Sequence, residues 1–266
     1  MCDRSKVVAT LSGPDYELRY RIIRDIGGFT VPLFKTISKE IELAGTGMLF
    51  TDRGSHYILT AAHVWEEKLK SAVKIGIGIQ EDIANRFFVE RALLVPCGPP
   101  IPSVWNEWGP DMTFLRIPEG LVGSINARRV FYSPTVDGIA TPANPVEVWL
   151  LMGTPAALGT FTPAHAEVQV NGRFVGGGDV GYKTRGQLDY FDVKMDTSSP
   201  GTPKDFGGVS GGGLWRVQVY CSSSTGKIDW ARSLEGVAFY QLPGENGSTV
   251  IRCHGPQSIA RAFSAI

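Results

Sequence analysis

The sequence has no excess of charge of either sign. Its 266 residues contain 26 Lys and Arg and 26 Asp and Glu, so the formal net charge is zero. Neither half carries a run of basic residues that could neutralise a row of phosphates. Nucleic acid is therefore not an expected partner.

Long hydrophobic runs are also absent. No segment approaches the roughly 18 consecutive apolar residues that indicate a membrane-spanning helix. The opening stretch, MCDRSKVVATLSGPDYELRY, lacks the apolar core of a secretory signal. We therefore expect no membrane partner and a cytoplasmic location.

Cysteine is scarce and widely spaced. The chain has four: Cys2, Cys97, Cys221 and Cys253. They form no C-x-x-C pair, and only Cys253 has a histidine close by, so we expect reduced thiols and no metal site. The segment STGK at 224–227 lacks the earlier glycine of a phosphate-binding loop, and no cofactor is expected.

Glycine and proline, by contrast, are abundant and punctuate short apolar or alternating runs. The 32 glycines and 17 prolines are typical of an all-β chain rather than of alternating strands and helices. Ten runs are strand candidates: GTGMLFTD, HYILTAAHV, VKIGIGI, RFFVERALLV, MTFLRI, VEVWLLMG, AEVQVNGRFV, YFDVKM, GLWRVQVY and LEGVAFYQL. Asn171-Gly172 predicts a two-residue hairpin turn. Helical periodicity is confined to AAHVWEEKLKSA and the final GPQSIARAFSAI, where Pro256 suits a first turn.

A proline-rich stretch without apolar periodicity, SPTVDGIATPANP at 133–145, predicts a linker between two units. The predicted division of the chain is as follows: an N-terminal extension at 1–28, a first β unit at 29–132, a linker at 133–145, a second β unit at 146–254 and a C-terminal helix at 255–266.

Three local patterns carry reactive side chains. His63 follows the strand YILT and two alanines, and Asp111 directly precedes the apolar run MTFLRI. A carboxylate there becomes useful if it accepts one N–H of an imidazole and so fixes its tautomer. Ser210 lies in DFGGVSGGGLW, where flanking glycines allow backbone N–H groups to turn inward as an oxyanion hole. Gly208 and Ser210 are the candidate donors.

Taken together, TAAH, the strand-opening aspartate and GVSGG resemble the chymotrypsin/trypsin-like serine protease family. The resemblance covers roughly 43–266. It implies two six-stranded antiparallel β-barrels with a short C-terminal helix, and a trypsin-like hydrolase that cleaves peptide bonds. The implied catalytic triad is His63, Asp111 and Ser210, with the substrate a protein or peptide.

Two of the departures from the family pattern bear on how the site would work. Val209 replaces the aspartate that receives a new amino terminus in zymogen-activated members, so the chain resembles bacterial or viral members that fold directly into a competent state. Without that switch, we expect activity to be controlled either by a regulatory protein partner or by a distorted resting conformation of the glycine-rich oxyanion loop. Phe239 stands where the family often has a serine that bonds the triad aspartate. A buried Asp111 would then need other donors, for which the amides of Ala62 and His63 are candidates.

The resemblance also indicates a substrate-binding set. Lys204 aligns with the bottom of the primary specificity pocket, although a shift of one residue would bring in Asp205 and reverse the charge preference. Ala238 and Gln241 are expected to form one wall of the cleft.

Two alternatives stay open. The chain could be a catalytically weak or inactive protease fold used as a peptide-binding scaffold. Alternatively, GVSGG fits the nucleophile elbow of an α/β-hydrolase-type esterase, with Ser210, Asp229 and His254 in the order that such enzymes use.

Overall fold

A computed structural model provides the structure of the protein. It describes the following residues: 3–13, 16–37, 40–79, 86–99, 105–137, 142, 144–162, 167–170, 174–198 and 202–266. Within these ranges the chain is mostly β, with two large antiparallel sheets and a short C-terminal helix. The prediction of an all-β fold is thereby confirmed.

The first sheet is built from the first half of the chain. Its strands are β1 (Thr30–Ile37), β2 (Glu40–Asp52), β3 (Ser55–Thr60), β4 (Lys74–Gly78), β5 (Arg86–Glu90), β6 (Val95–Cys97) and β7 (Thr113–Arg116). They are hydrogen-bonded in the order β5-β4-β1-β2-β3-β7-β6, seven strands where the family resemblance implied six. β-branched side chains such as Ile75 and Ile77 alternate inward and are fully buried, as a half-buried strand requires.

The second sheet is built from the second half. The remaining strands are β8 (Val146–Gly153), β9 (Gly159–Thr162), β10 (Glu167–Val170), β11 (Phe174–Gly176), β12 (Asp179–Arg185), β13 (Leu188–Met195), β14 (Gly213–Cys221), β15 (Ile228–Pro243) and β16 (Thr249–His254). The sheet again has seven strands, in the order β11-β8-β14-β15-β16-β13-β12, while β9 and β10 pair separately. The turn predicted at Asn171-Gly172 lies outside the described residues, and the strands that flank it pair with β9 and β8 rather than with each other.

Besides short 3-10 and π-helical turns, the described chain has five α-helices: α1 (Arg4–Ser12), α2 (Glu17–Gly27), α3 (Glu119–Asn126), α4 (Pro134–Asp137) and α5 (Pro256–Phe263). The C-terminal helix α5 was predicted, and its first turn is held from the second sheet. The carboxylate of Asp189 accepts the amides of Gln257 (3.2 Å) and Ser258 (2.7 Å). These are two of the N–H groups that a helix start leaves without intrahelical partners.

Helices α1 and α2 were not predicted. In α2, Leu18, Ile22 and Ile26 recur every four residues and are buried, which is the spacing of one helix face. This face belongs to the same core as Trp215, whose ring contacts Phe29 at 5.4 Å. The N-terminal helices therefore pack onto the region where the two sheets meet.

The cysteines differ from expectation at one position. Cys97 and Cys253 are free, but Cys221 is disulfide-bonded, so the expectation of reduced thiols is wrong for Cys221. Across the described ranges, every helix is too short or too polar to cross a bilayer.

Candidate functional site

The imidazole of His63 sits just beyond the end of β3. Ala61 and Ala62 are fully buried and carry the chain through the core, whereas the His63 side chain keeps 18% of its surface exposed. His63 then leads into a π-helical turn at Val64–Leu69. The small alanines thus allow the backbone to turn in the core while the ring reaches the surface.

Asp111 meets His63 because β3 and β7 are antiparallel neighbours. Thr60, the last residue of β3, pairs with Thr113, the first residue of β7. His63 follows one strand end and Asp111 precedes the other, so the two lie side by side. Because the last residue of β3 pairs with the first residue of β7, His63 and Asp111 are brought together although they are distant in sequence.

Two hydrogen bonds join this pair. Asp111 Oδ2 lies 2.6 Å from His63 Nδ1, and Asp111 Oδ1 accepts the backbone N–H of His63 at 2.9 Å. The carboxylate is 2% exposed, so it is held in place by protein groups rather than by water. With Nδ1 engaged as a donor, Nε2 is left with a lone pair that can accept a proton.

The glycine-rich loop brings Ser210 to the same region. The backbone carbonyl of Ser210 accepts the N–H of Thr46 at 2.9 Å. A Cβ on Gly45 would lie 2.8 Å from the methyl groups of Val64 and 3.1 Å from the Ser210 carbonyl oxygen. Val64, which directly follows His63, and the backbone of Ser210 therefore both lie next to Gly45. Among the described residues, the Ser210 hydroxyl makes no hydrogen bond, to His63 or to any other group.

The peptide groups around Ser210 have fixed orientations. The Gly207 carbonyl accepts the N–H of Ala156, and the Val209 carbonyl accepts that of Gly212, both at 2.7 Å. In a trans peptide the C=O and N–H point in opposite directions, so the amides of Gly208 and Ser210 are turned away from these anchors. Neither amide donates to an acceptor in the described chain.

Gly208 is required for this conformation. Its φ is +93°, and a Cβ there would lie 2.6 Å from the carbonyl oxygen of Thr154. The Gly208 carbonyl accepts from the buried hydroxyl of Thr46 at 2.7 Å. A side chain at 208 would therefore disturb the loop, and the arrangement leaves two backbone donors beside a serine, as an oxyanion hole needs.

The residues assigned to substrate binding lie in or beside the segment that leads to Ser210. Lys204 and Asp205 are both exposed, and Asp205 accepts the amide of Gly207 at 2.8 Å. Ala238 is buried, and its backbone bonds the glycine-rich loop at both its N–H and its carbonyl. The Gln241 side chain accepts the amide of Phe206 at 3.2 Å. β15 thus runs along the loop that carries the serine.

Asp111 has a further partner that the sequence analysis missed. Its backbone N–H donates to His254 Nε2 at 3.0 Å, and His254 is fully buried. Burial lowers the pKa of His254 to about 4. Of the two amides expected to bond the carboxylate, the described hydrogen bonds include that of His63 and none from Ala62.

The contact of Trp105 with the site was also not predicted: its ring lies edge-on to that of His63, with a centroid distance of 5.9 Å. The run TVIRCH, which carries His254, has the β-branched composition of a strand and could have signalled β16. Nothing local in the sequence links either residue to the site.

The esterase alternative is wrong. It required a parallel sheet with alternating helices, whereas both large sheets are antiparallel. Asp229 is exposed on β15, and His254 is fully buried with its Nε2 accepting the N–H of Asp111.

No family model and no curated protein matches the chain. Solved structures resemble it at low identity. A chain from the structure described as "Aromatic interactions drive the coupled folding and binding of the intrinsically disordered Sesbania mosaic virus VPg protein" is 13% identical, with a TM-score of 0.46, over 89% of this chain and 90% of that one. The Drosophila Grass clip serine protease of the Toll pathway is 11% identical, with a TM-score of 0.49, over 100% of this chain and 78% of that one. Likeness at this level says nothing about activity.

Proposed function

We propose that the chain is a serine endopeptidase of the chymotrypsin/trypsin-like family, acting on protein or peptide substrates. The observation that carries the proposal is the contact of His63 with the buried carboxylate of Asp111, through both Nδ1 (2.6 Å) and the backbone N–H (2.9 Å). Such a two-point contact fixes the ring and its tautomer, which is what a general base for a serine hydroxyl needs.

The proposed reaction has two halves. Ser210 Oγ attacks the carbonyl carbon of the scissile peptide bond while His63 Nε2 takes the hydroxyl proton, and the tetrahedral oxyanion is stabilised by the amides of Gly208 and Ser210. His63 returns the proton to the leaving amine, which departs. Water then attacks the acyl carbon while His63 takes its proton, and His63 passes that proton to Ser210 Oγ as the ester bond breaks and the acid product leaves. Asp111 keeps its charge throughout and stabilises the imidazolium.

The test is covalent labelling by a fluorophosphonate together with hydrolysis of casein. We expect the wild type to label at Ser210 and Ser210→Ala not to label, because only an activated serine reacts readily. Casein hydrolysis should fall about a millionfold in Ser210→Ala and His63→Ala, and about ten-thousandfold in Asp111→Asn, which favours the wrong tautomer.

Ser223→Ala is the matched control, because Ser223 is exposed in the connection between β14 and β15 and should label and hydrolyse like the wild type. Persistence of hydrolysis in Ser210→Ala would refute the mechanism. The alternative of an inactive scaffold rests on the absence of a described hydrogen bond between the Ser210 hydroxyl and His63. It predicts a folded wild type that neither labels nor hydrolyses casein.

A further inference from the structure

A second imidazole lies directly behind the aspartate of the candidate triad. His254 is the last residue of β16, a strand hydrogen-bonded between β13 and β15. In the register it lies opposite Tyr190 on one side and Val237 on the other. The ring is fully buried.

The ring is held by stacking. Its plane lies 14° from that of Phe239, with a centroid distance of 4.0 Å. Phe239 falls at the register shift between Ala238 and Tyr240, which places it outside the regular pairing of β15 with β16. Phe239, which stands where the family often has a serine, thus supports the ring of His254.

The loop carrying Asp111 packs directly on the edge of this ring. Gly109 has a φ of +65°, and a Cβ there would lie 2.7 Å from His254 Cε1 and 2.8 Å from Nε2. Two residues later, the Asp111 N–H donates to the same Nε2 at 3.0 Å. The close approach fixes the backbone of Asp111 relative to the second sheet, while the Asp111 carboxylate bonds His63 beside the first.

The hydrogen bond also assigns the tautomer of His254. Because Nε2 accepts, the proton of the neutral ring is on Nδ1, which has no hydrogen-bond partner in the described chain. The charged or titratable groups that face the ring are Asp111, Asp189 and Tyr190. The two carboxylates raise the pKa of His254, but burial outweighs them and keeps the ring neutral and able to accept.

We propose that His254 is a positioning residue of the catalytic site: it fixes the backbone at Asp111 so that the carboxylate keeps both hydrogen bonds to His63. This inference rests on the proposed function. His254 touches neither the substrate nor the reacting atoms. In this proposal, the stacked rings of His254 and Phe239 on the second sheet support Asp111, which precedes a strand of the first sheet.

The first test compares variants that keep or lose the acceptor at the Nε2 position. His254→Phe keeps an aromatic ring against Phe239 but cannot accept, and His254→Gln carries an amide oxygen near the position of Nε2. With a fluorophosphonate as the probe, we expect the inactivation rate constant to fall about 10- to 100-fold in His254→Phe, because a misplaced catalytic group costs rate. The dissociation constant for the probe should stay within about twofold, because no binding group is lost. His254→Gln should recover most of the rate.

The second test is independent of catalysis. In a Ser210→Ala background, proton NMR of the His63 Nδ1–H reports its hydrogen bond to Asp111. We expect this downfield resonance to weaken or move upfield in His254→Phe and to persist in His254→Gln. If His254→Phe does not fold, His254→Asn takes its place, because Asn carries its amide near the position of Nδ1 instead.

Unchanged labelling and an unchanged Nδ1–H resonance in His254→Phe would overturn the proposal, as would equal behaviour of His254→Gln and His254→Asn. A wild type that does not label would instead refute the proposed function. The resonance would still decide whether His254 positions Asp111, so the two failures can be told apart.

Discussion

Replacing His254 by phenylalanine should remove much of the acid sensitivity of the fold between pH 6.5 and pH 4. Burial lowers the pKa of this histidine from 6.5 to about 4. Below pH 6.5 the unfolded chain therefore binds a proton that the folded protein does not take up until about pH 4. Since protons then favour the unfolded state, the free energy of unfolding decreases as the pH falls through this window.

The size of the effect follows from the two pKa values. Between pH 7 and pH 4 the titration of His254 should lower the free energy of unfolding by about 3 kcal/mol, and about 2 kcal/mol of this should be lost by pH 5. Phenylalanine does not titrate, so the variant lacks this contribution. It should nevertheless be less stable at pH 7 by about 1–3 kcal/mol, because the buried N–H of Asp111 loses its acceptor.

The assay is urea unfolding followed by tryptophan fluorescence at pH 7, 6 and 5. The quantity to compare is the difference in unfolding free energy between wild type and His254→Phe at each pH, because other carboxyl groups titrate equally in both proteins. We expect the deficit of the variant to shrink by about 2 kcal/mol on going from pH 7 to pH 5.

A buried neighbour on the same strand provides the control. Ile251→Val should cost about 1 kcal/mol at every pH, because it removes one methylene and no titrating group. A deficit of His254→Phe that stays constant from pH 7 to pH 5 would refute the reasoning, since the ring would then titrate alike in the folded and unfolded chains.

Three further changes test the packing around the site, each by urea unfolding. Gly211→Ala should cost more than about 3 kcal/mol, because φ is +88° and the new Cβ would overlap the Thr46 carbonyl, whereas Gly226→Ala, with φ +65° and open space, should cost about 1 kcal/mol. Thr46→Val should cost about 3 kcal/mol, since a buried carbonyl and a buried amide lose the hydroxyl that bonds both. Ile26→Ala should cost about 3 kcal/mol and the exposed Ile23→Ala under about 0.5 kcal/mol. The packing described would be contradicted if the two glycine variants, or the two isoleucine variants, lost equal unfolding free energy. It would also be contradicted if Thr46→Val were as stable as the wild type.

Local patterns predicted much of the architecture. Period-two apolar runs between glycines and prolines predicted most of the strands, and Pro256 with the apolar spacing after it predicted α5. Both depend on interactions within a few residues, so they can be read along the chain. The same spacing rule applies to α2, where Leu18, Ile22 and Ile26 mark one buried face.

Strand pairing could not be read in this way. The Asn171-Gly172 signal favoured a hairpin between neighbouring runs, but β10 pairs with β9 and β11 with β8. Two strands pair where their backbones are in register and their side chains are buried together. Which strands pair therefore depends on the whole sheet and not on the turn alone.

For the site, the sequence by itself determined the residue types: a histidine after two alanines, an aspartate before a strand and a serine among glycines. Only the tertiary structure decided that the end of β3 meets the start of β7, so that His63 and Asp111 are hydrogen-bonded, and that His254 lies buried behind Asp111. The reason is physical. Side-chain identity is fixed at each position, whereas a hydrogen bond between distant residues exists only once two strands have been paired and packed.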